Sequence, residues 1–291
     1  MAVFYRRLPR FRYVAPRTIE EAINFLADHP GEAKPMAGGT DLIPNLKRRE
    51  IVSPAMVVDL KGIPGLAQVC CGTNLSLQIG ALATISSIAL HPEIQKFYPS
   101  LVQAASVMAS PQVRNRGTFG GNLCSAVPSA DSAPALLSLE AVVHIRGSGG
   151  QRSVPLERFF LGPGKPALEA DEIVVRIEIP KPADRSVYLK LSPRHSMDMA
   201  VVGVAAAADS VPEGFTNIRI ALGAVAPTPM RARQAEEILK EYPVTSALIE
   251  KAAQCAAAEC KPIDDFRASS AYRRDMVYVL TRLALEQVLN Q

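Results

Sequence analysis

The sequence lacks the features of several common protein classes. None of its apolar runs is long enough to cross a membrane, and its first residues, 1–7, have no apolar core of the kind that a signal peptide needs. We therefore expect a cytoplasmic protein without a membrane span. The 291 residues also contain no long run of lysine and arginine, and the net charge is only +4, which makes nucleic acid a poor candidate for a partner.

The sequence gives equally little support for a metal site or for nucleophilic catalysis. The five cysteines are odd in number and include no C-x-x-C pair, so we expect neither disulfides nor an iron–sulfur cluster with four cysteine ligands. The four histidines lack the spacing of metal ligands, and we predict no metal site. No nucleophile–base triad and no paired-carboxylate site is recognisable, which predicts that this chain does no bond chemistry on an organic substrate.

What the sequence does contain is two short glycine-rich segments. The first reads Pro35-Met36-Ala37-Gly38-Gly39-Thr40-Asp41-Leu42. The second reads Thr118-Phe119-Gly120-Gly121-Asn122, and Asp131 follows it. Glycine reaches positive φ and has no Cβ, so backbone N–H groups in such loops can approach a ligand closely and form a concave nest for anions. Two nests predict a site for the two ends of a large anionic cofactor, such as a dinucleotide.

The order of predicted elements indicates an α+β protein. A capping box, Thr18-x-x-Glu21, begins an amphipathic helix, and a buried strand is predicted over 55–60. Pro180-Lys181-Pro182 marks a domain boundary. Beyond it, three strand-like runs precede three helical runs, at 186–191, 200–208, 217–225, 232–241, 245–260 and 269–289. Strands followed by helices predict helices on one face of an antiparallel sheet. Neither glycine segment matches the G-x-G-x-x-G fingerprint of the usual dinucleotide fold.

Together, these motifs resemble the medium, FAD-binding subunit of the molybdenum hydroxylases, the family of carbon monoxide dehydrogenase and of the flavin domain of xanthine dehydrogenase. In that family the first motif reads roughly AGGT/HDL and the second T-x-GGN. The resemblance spans nearly the whole chain, because it continues through 126–131, 171–174, 188–190, 225–231 and 270–274. It implies a two-lobed FAD-binding domain of the PCMH type over 1–180, with lobes of about 1–60 and 61–180. A smaller α+β domain with a three-stranded antiparallel sheet and a helical bundle is implied over 181–291.

The resemblance also places the cofactor between the two lobes. The implied FAD-binding residues are Pro35, Met36, Ala37, Gly38, Gly39, Thr40, Asp41, Leu42, Met108, Thr118, Phe119, Gly120, Gly121, Asn122, Asp131, Val174 and Lys190. Backbone amides of the two segments suit the pyrophosphate and ribityl oxygens, and a Cβ at Gly120 or Gly121 is expected to block the cofactor. Met108 and Val174 fit a core position at least as well. Lys190, beside the ring, would favour a reduced, anionic flavin.

Three neighbours of the second segment have two interpretations each. Arg114 and Arg116 either contact phosphate or stabilise a surface turn. Cys124 either approaches the cofactor or fills a small buried space, and the latter is favoured. No histidine lies in either segment, so covalent attachment of the flavin through histidine has no support.

The resemblance implies an oxidoreductase subunit. Its FAD would take electrons from two [2Fe-2S] clusters of a small partner subunit, fed in turn by a large molybdenum-cofactor subunit, and pass them to an external acceptor. The expected assembly is a dimer of heterotrimers. A stand-alone flavin oxidase of related fold is the alternative, which the short C-terminal part disfavours. An FAD-free scaffold is a third, disfavoured because all four glycines of the two segments are present.

Overall fold

The computed structural model describes residues 7–72, 75–194, 196–212, 214–240 and 243–289. Residues 1–6 and His195 lie outside these ranges, as does the end of the helical run predicted to reach Glu241. Three larger sheets follow one another along the chain, and we name them the N-terminal, central and C-terminal sheets.

The N-terminal sheet is small and parallel. Its strands are β1 (Arg12–Val14), β2 (Ala33–Met36) and β3 (Met56–Asp59), in the order β1-β3-β2. Two helices, α1 (Ile19–Asp28) and α2 (Leu42–Arg48), and a 3₁₀ turn (Leu60–Gly62) connect or follow them. The predicted cap is confirmed, because the hydroxyl of Thr18 accepts a hydrogen bond from the Glu21 amide at 3.0 Å.

The central sheet is antiparallel, and a group of short helices covers it. Its strands are β4 (Val69–Cys71), β5 (Leu77–Gly80), β6 (Val142–Gly147), β7 (Gly150–Pro155) and β10 (Ile173–Ile179), in the order β4-β5-β10-β6-β7. The helices are α3 (Ile85–Ala89), α4 (Pro92–Phe97), α5 (Pro99–Val107), α6 (Pro111–Arg114), α7 (Phe119–Cys124) and α8 (Ser132–Ser138). A 3₁₀ turn (Leu156–Arg158) precedes the hairpin of β8 (Phe160–Gly162) and β9 (Lys165–Pro166).

The C-terminal sheet is antiparallel and has one strand more than expected. Its strands are β11 (Arg185–Leu191), β12 (Val202–Val211), β13 (Gly214–Gly223) and β14 (Met230–Arg231), paired in that order. The helices α9 (Arg233–Ile238), α10 (Ser246–Glu259) and α11 (Ser270–Leu289) follow. The predicted three-stranded sheet is therefore wrong by one strand, because a strand of two residues after a proline-rich turn is too short to show alternation.

Burial on both faces explains the run of small apolar residues in β12. Ala205 and Ala207 belong to the core beneath the central helices, whereas Val204, Ala206 and Ala208 belong to the core formed with α10 and α11. A strand covered on both sides is continuously apolar instead of alternating. The C-terminal sheet thus packs directly on α5 and α8, the helices on either side of α6 and α7 in the sequence.

Candidate functional site

The first glycine segment is an open turn between β2 and α2. Gly39 has φ +75°, a conformation that residues with a Cβ adopt rarely. Within the described ranges, the backbone N–H groups of Gly38, Gly39 and Thr40 donate to no other protein group. The turn therefore offers a row of free amide donors, as the nest prediction requires.

The second glycine segment was expected to be a loop, and this expectation is wrong. Residues 119–124 form helix α7, because the hydroxyl of Thr118 accepts a hydrogen bond from the Gly121 amide at 2.9 Å and so caps the first turn. The cap engages the Gly121 amide, whereas the Gly120 amide donates to no partner in the described part of the chain. The side chain of Phe119 is fully buried, so only its backbone is available to a ligand.

The two glycine segments lie against each other. A Cβ added to Gly38 would come within 1.8 Å of the carbonyl oxygen of Arg116, two residues before the second segment, so only glycine permits this approach. A Cβ added to Gly121 would lie 3.6 Å from the Ala37 Cβ, which places the two segments themselves side by side. Ser125, at the end of α7, donates a hydrogen bond to the Asp41 carboxylate at 2.7 Å. Segments separated by about 80 residues along the chain are therefore in contact, and their sharing of one ligand stays a prediction.

Packing within the protein, and not only access for a cofactor, requires glycine at position 120. It is buried, and an added Cβ would lie 2.4 Å from the Ala81 carbonyl oxygen and 2.8 Å from the Ala81 Cα. Any side chain would thus push α7 away from the chain that follows β5. We expected a Cβ at Gly120 to act on cofactor binding much more than on the stability of the fold, and this is wrong, because the Cβ would first disturb the packing of the protein.

A buried ion pair adjoins the second segment. The Asp131 carboxylate accepts hydrogen bonds from the hydroxyl of Tyr188 at 2.7 Å and from Nζ of Lys190 at 2.9 Å, and the side chains of Asp131 and Lys190 are only 9% and 5% exposed. Burial raises the pKa of Asp131, against the opposing effects of the Lys190 charge and of both hydrogen bonds. Burial, together with the Asp131 charge, also raises the pKa of Tyr188 well above its ordinary value, so the phenol keeps its proton and donates.

Lys190 uses all three of its N–H groups within the protein. Besides Asp131, Nζ donates to the Asp198 carbonyl at 2.8 Å and to the Val107 carbonyl at 3.4 Å. An ammonium has three donors and no acceptor. The effect on a flavin that we expected from Lys190 would therefore come from a fixed charge and not from a direct hydrogen bond.

The ion pair connects to the second segment through a pair of side chains. Ser132, next to Asp131, donates to Oδ1 of Asn122 at 2.6 Å. This contact leaves the NH₂ group of the Asn122 amide directed elsewhere and available as a donor.

Met108 and Val174 occupy core positions. Met108 directly follows α5 and is 6% exposed, and Val174 lies in β10 and is 4% exposed. Both belong to the core of the central region, in agreement with the core interpretation that the sequence left open. Contact of either side chain with a cofactor stays a prediction.

The remaining candidates lie at the edges of the first segment. Pro35 and Met36 end β2, Asp41 precedes α2 without capping it, and Leu42 is the first residue of that helix. Cys124 packs against the central core, and burial raises its pKa to about 12, which favours the buried-filler interpretation.

Four residues that make hydrogen bonds at the site were not predicted from the sequence: Tyr188, Ser125, Ser132 and Asp198. A signal existed for Tyr188, because residues two apart in a strand share a face and Tyr188 therefore lies on the side of Lys190. The two serines and the Asp198 carbonyl act through contacts that appear only once the chain is folded.

The described ranges give no indication of metal binding or of membrane insertion. No group of three or more His, Cys, Asp or Glu side chains in them is arranged to hold a metal ion. None of the helices in these ranges is both long and apolar enough to span a membrane.

Comparison with known proteins agrees with this geometry. Residues 9–182 match the family described as the FAD binding domain in molybdopterin dehydrogenase, and residues 187–288 match the carbon monoxide dehydrogenase flavoprotein C-terminal domain. The chain belongs to the FAD-binding medium subunits of the carbon monoxide and xanthine dehydrogenase family. It is therefore a subunit of an oxidoreductase, with FAD as its cofactor.

Individual relatives of this medium-subunit family match over almost their full length. The chain is 34% identical to the putative xanthine dehydrogenase FAD-binding subunit of Escherichia coli (strain K12), with 95% of both chains covered. It is also 34% identical to the carbon monoxide dehydrogenase medium chain of Hydrogenophaga pseudoflava, over 95% of this chain and 96% of that one. A structure of carbon monoxide dehydrogenase from Hydrogenophaga pseudoflava, lacking the Mo-pyranopterin moiety of its molybdenum cofactor, superimposes with a TM-score of 0.93 over 97% of this chain and 98% of that chain.

The residues present fit the chemistry of FAD. The diphosphate of FAD is anionic, and the free backbone amides of Gly38, Gly39 and Thr40 can donate hydrogen bonds to it. Because Gly38 has no Cβ, no side chain fills the space where the two segments meet. The Asn122 NH₂ group and the buried Lys190 charge add polar and electrostatic partners nearby.

Proposed function

We propose that this chain carries FAD as the electron-transfer subunit of a heteromeric molybdenum hydroxylase. It takes electrons from [2Fe-2S] clusters of a small partner subunit and passes them to an external acceptor. The observation that carries the proposal is the contact between the two glycine segments, in which Gly38 meets the Arg116 carbonyl and leaves room for no side chain. Such a contact gives one ligand access to the free amides of both segments at once.

The glycine segments bind the phosphate and ribityl parts of the cofactor. Free amides of Gly38, Gly39, Thr40 and Gly120 donate to anionic and hydroxyl oxygens, since they have no partner in the described part of the chain. Thr118 accepts one hydrogen bond from its own helix and keeps its hydroxyl hydrogen for a ligand. Pro35, Met36, Ala37, Asp41, Leu42 and Phe119 shape this surface through their backbone or their contacts with it.

The ion pair lies at the flavin end. Lys190 holds a fixed positive charge there, and Asp131 partly neutralises it while Tyr188 fixes the carboxylate. A cation near the ring favours the anionic reduced form of a flavin. Met108 and Val174 supply apolar surface at this end and exclude water from it.

FAD supplies the redox chemistry when bound, because it accepts electrons singly and releases them in pairs. The protein contributes binding, orientation and the electrostatic environment. We assign the oxidation of an organic substrate to a partner subunit.

The names of the relatives support a multi-subunit assembly. They are described as a medium chain or as an FAD-binding subunit, and a related solved structure, 29% identical to this chain, is a Cu,Mo-containing carbon monoxide dehydrogenase. We extend this to a small [2Fe-2S] subunit and a large molybdenum subunit, assembled as a dimer of heterotrimers in the cytoplasm. The two domains of this chain are proposed to divide near residue 180, with the lobes of the first dividing near residue 60.

The test is substrate-driven reduction of the flavin. The isolated chain should bind one non-covalent FAD and be reduced by dithionite, but it should not respond to any organic substrate of the complex. Adding the proposed small [2Fe-2S] subunit and large molybdenum subunit should restore reduction by substrate. Rapid reduction by substrate in the isolated chain would contradict the proposal and favour a stand-alone flavin oxidase.

A further inference from the structure

The chain turns sharply where helix α5 ends, and cations hold this turn. We call residues 107–109 the α5 corner. Arg114 Nη1 donates to the Met108 carbonyl at 2.9 Å and lies 3.5 Å from the Ala109 carbonyl. Lys190 donates to the Val107 carbonyl at 3.4 Å. Three successive carbonyl groups at the end of one helix therefore face two positive charges, which also suits the negative end of the helix dipole.

The α5 corner adopts a conformation that needs support. Ala109 has φ +44°, in the left-handed region that residues with a Cβ seldom adopt. Most helices that end in this way use glycine. Backbone of this kind persists only where surrounding contacts fix it, and such contacts concentrate at functional sites.

Arg114 also belongs to the chain that leads into the second glycine segment. It is the last residue of α6, a short helix capped by Ser110, whose hydroxyl accepts from the Val113 amide at 3.3 Å. Two residues later, the Arg116 carbonyl makes the close approach to Gly38. One guanidinium therefore links the corner that carries Met108 to the point where the two glycine segments meet.

We propose that Arg114 is a positioning residue for FAD. It does not bind the phosphate, as one interpretation of the sequence had it. It acts through the Met108 and Ala109 carbonyls, and it fixes the distance between the flavin end of the site and the glycine segments. This inference rests on the proposed function, because it takes the site around Met108 and Lys190 to be the flavin end.

Arginine suits this role better than lysine does. Its planar guanidinium presents several donors in fixed directions and can serve neighbouring acceptors, whereas a lysine ammonium is a compact charge on a flexible chain. Replacement by lysine should keep the charge at the end of α5 but lose part of the geometry.

The experiment measures the Kd of FAD for the apo-protein, by quenching of flavin fluorescence, alongside the melting temperature. We expect Arg114→Ala to raise Kd about tenfold, and Arg114→Lys to raise it by about threefold with a melting temperature near that of the unmodified chain. Arg274→Ala is the matched control, since Arg274 is an exposed arginine of α11 away from the site, and it should change neither quantity.

Chemical rescue separates positioning from a general structural effect. Guanidinium at low millimolar concentration should restore FAD binding to Arg114→Ala, whereas an equal concentration of urea should not. Unchanged Kd in both Arg114 variants would overturn the inference, as would a loss of affinity in Arg114→Ala that guanidinium does not reverse. If Arg114→Ala fails to fold, an Arg114→Lys variant with wild-type Kd overturns it. Failure of the unmodified chain to bind FAD would instead reject the proposed function.

Discussion

The two glycine segments look alike in sequence but use their glycines differently. In the first, Gly39 lies at positive φ in a partly exposed turn, and Gly38 meets the other segment. In the second, Gly120 is buried and lies against the backbone of Ala81, while the Gly121 amide is engaged by the Thr118 cap. The glycines of the first segment thus permit a turn and a close approach of two backbones, whereas Gly120 in the second permits helix α7 to pack on Ala81.

This difference matters for interpreting glycine motifs. A paired glycine is commonly taken to mark a close approach of the ligand. Here, at least one of the four glycines, Gly120, is needed because the protein's own backbone packs against it. Substitutions in the two segments should therefore separate into effects on folding and effects on cofactor binding.

The largest effect is expected for Gly120→Val. Its side chain would displace α7 from Ala81, and we expect a loss of about 3 kcal/mol or more in the free energy of unfolding, or failure to fold. Thermal or urea unfolding of the apo-protein measures it. Gly149→Val is the control, because nothing lies within 4 Å of a Cβ there. A Gly120→Val protein that unfolds like the wild type would show that α7 does not depend on this packing.

The next effect is expected for Gly38→Ala, which should act on binding more than on folding. A methyl group 1.8 Å from the Arg116 carbonyl oxygen forces the first segment away from the chain before the second, but the first segment is only half-buried, so its displacement disturbs less of the core than Gly120→Val does. We expect the Kd of FAD to rise at least about tenfold, with a melting temperature close to that of Gly149→Ala. Titration of the apo-protein with FAD checks it, and unchanged affinity would mean that the two segments need not touch.

The smallest effect is expected for Ser125→Ala, which removes the hydrogen bond between α7 and Asp41. The bond is partly exposed, so we expect the Kd of FAD to rise only about two- to fivefold. In a double-mutant cycle, Asp41→Ala should add little to Ser125→Ala, because each change removes one partner of the same hydrogen bond. Ser53→Ala, at an exposed serine, is the control. Full additivity of the two changes would show that the serine and the carboxylate act independently.

Much of this fold could be predicted from local sequence patterns. The cap at Thr18 and the long helices α10 and α11 followed from signals that act within a few residues. The short strand β14 and the helix α7 did not. Glycine-rich helices have low intrinsic propensity, and α7 forms because Thr118 caps it and because Gly120 packs on Ala81.

The site divides in the same way. The part of the site that is formed by backbone groups could be predicted from the sequence, since glycine is required where two backbones approach closely. Its side-chain half is only partly visible. Asp131 and Lys190 were suggested by the family resemblance. Two of the three hydrogen bonds that Lys190 donates go to the Val107 and Asp198 carbonyls, and these could not be predicted because any residue type can supply a backbone carbonyl. The roles of Arg114 and Ser125 likewise depend on distances that no sequence pattern records.

The central claim is that both glycine segments hold one FAD together. Amide hydrogen exchange of the apo-protein, measured with and without FAD, tests it most directly. We expect one equivalent of FAD to slow exchange in residues 38–42 and also in residues 119–125, and to leave the 147–150 turn between β6 and β7 unaffected. Protection confined to one segment, or found only elsewhere in the chain, would contradict it.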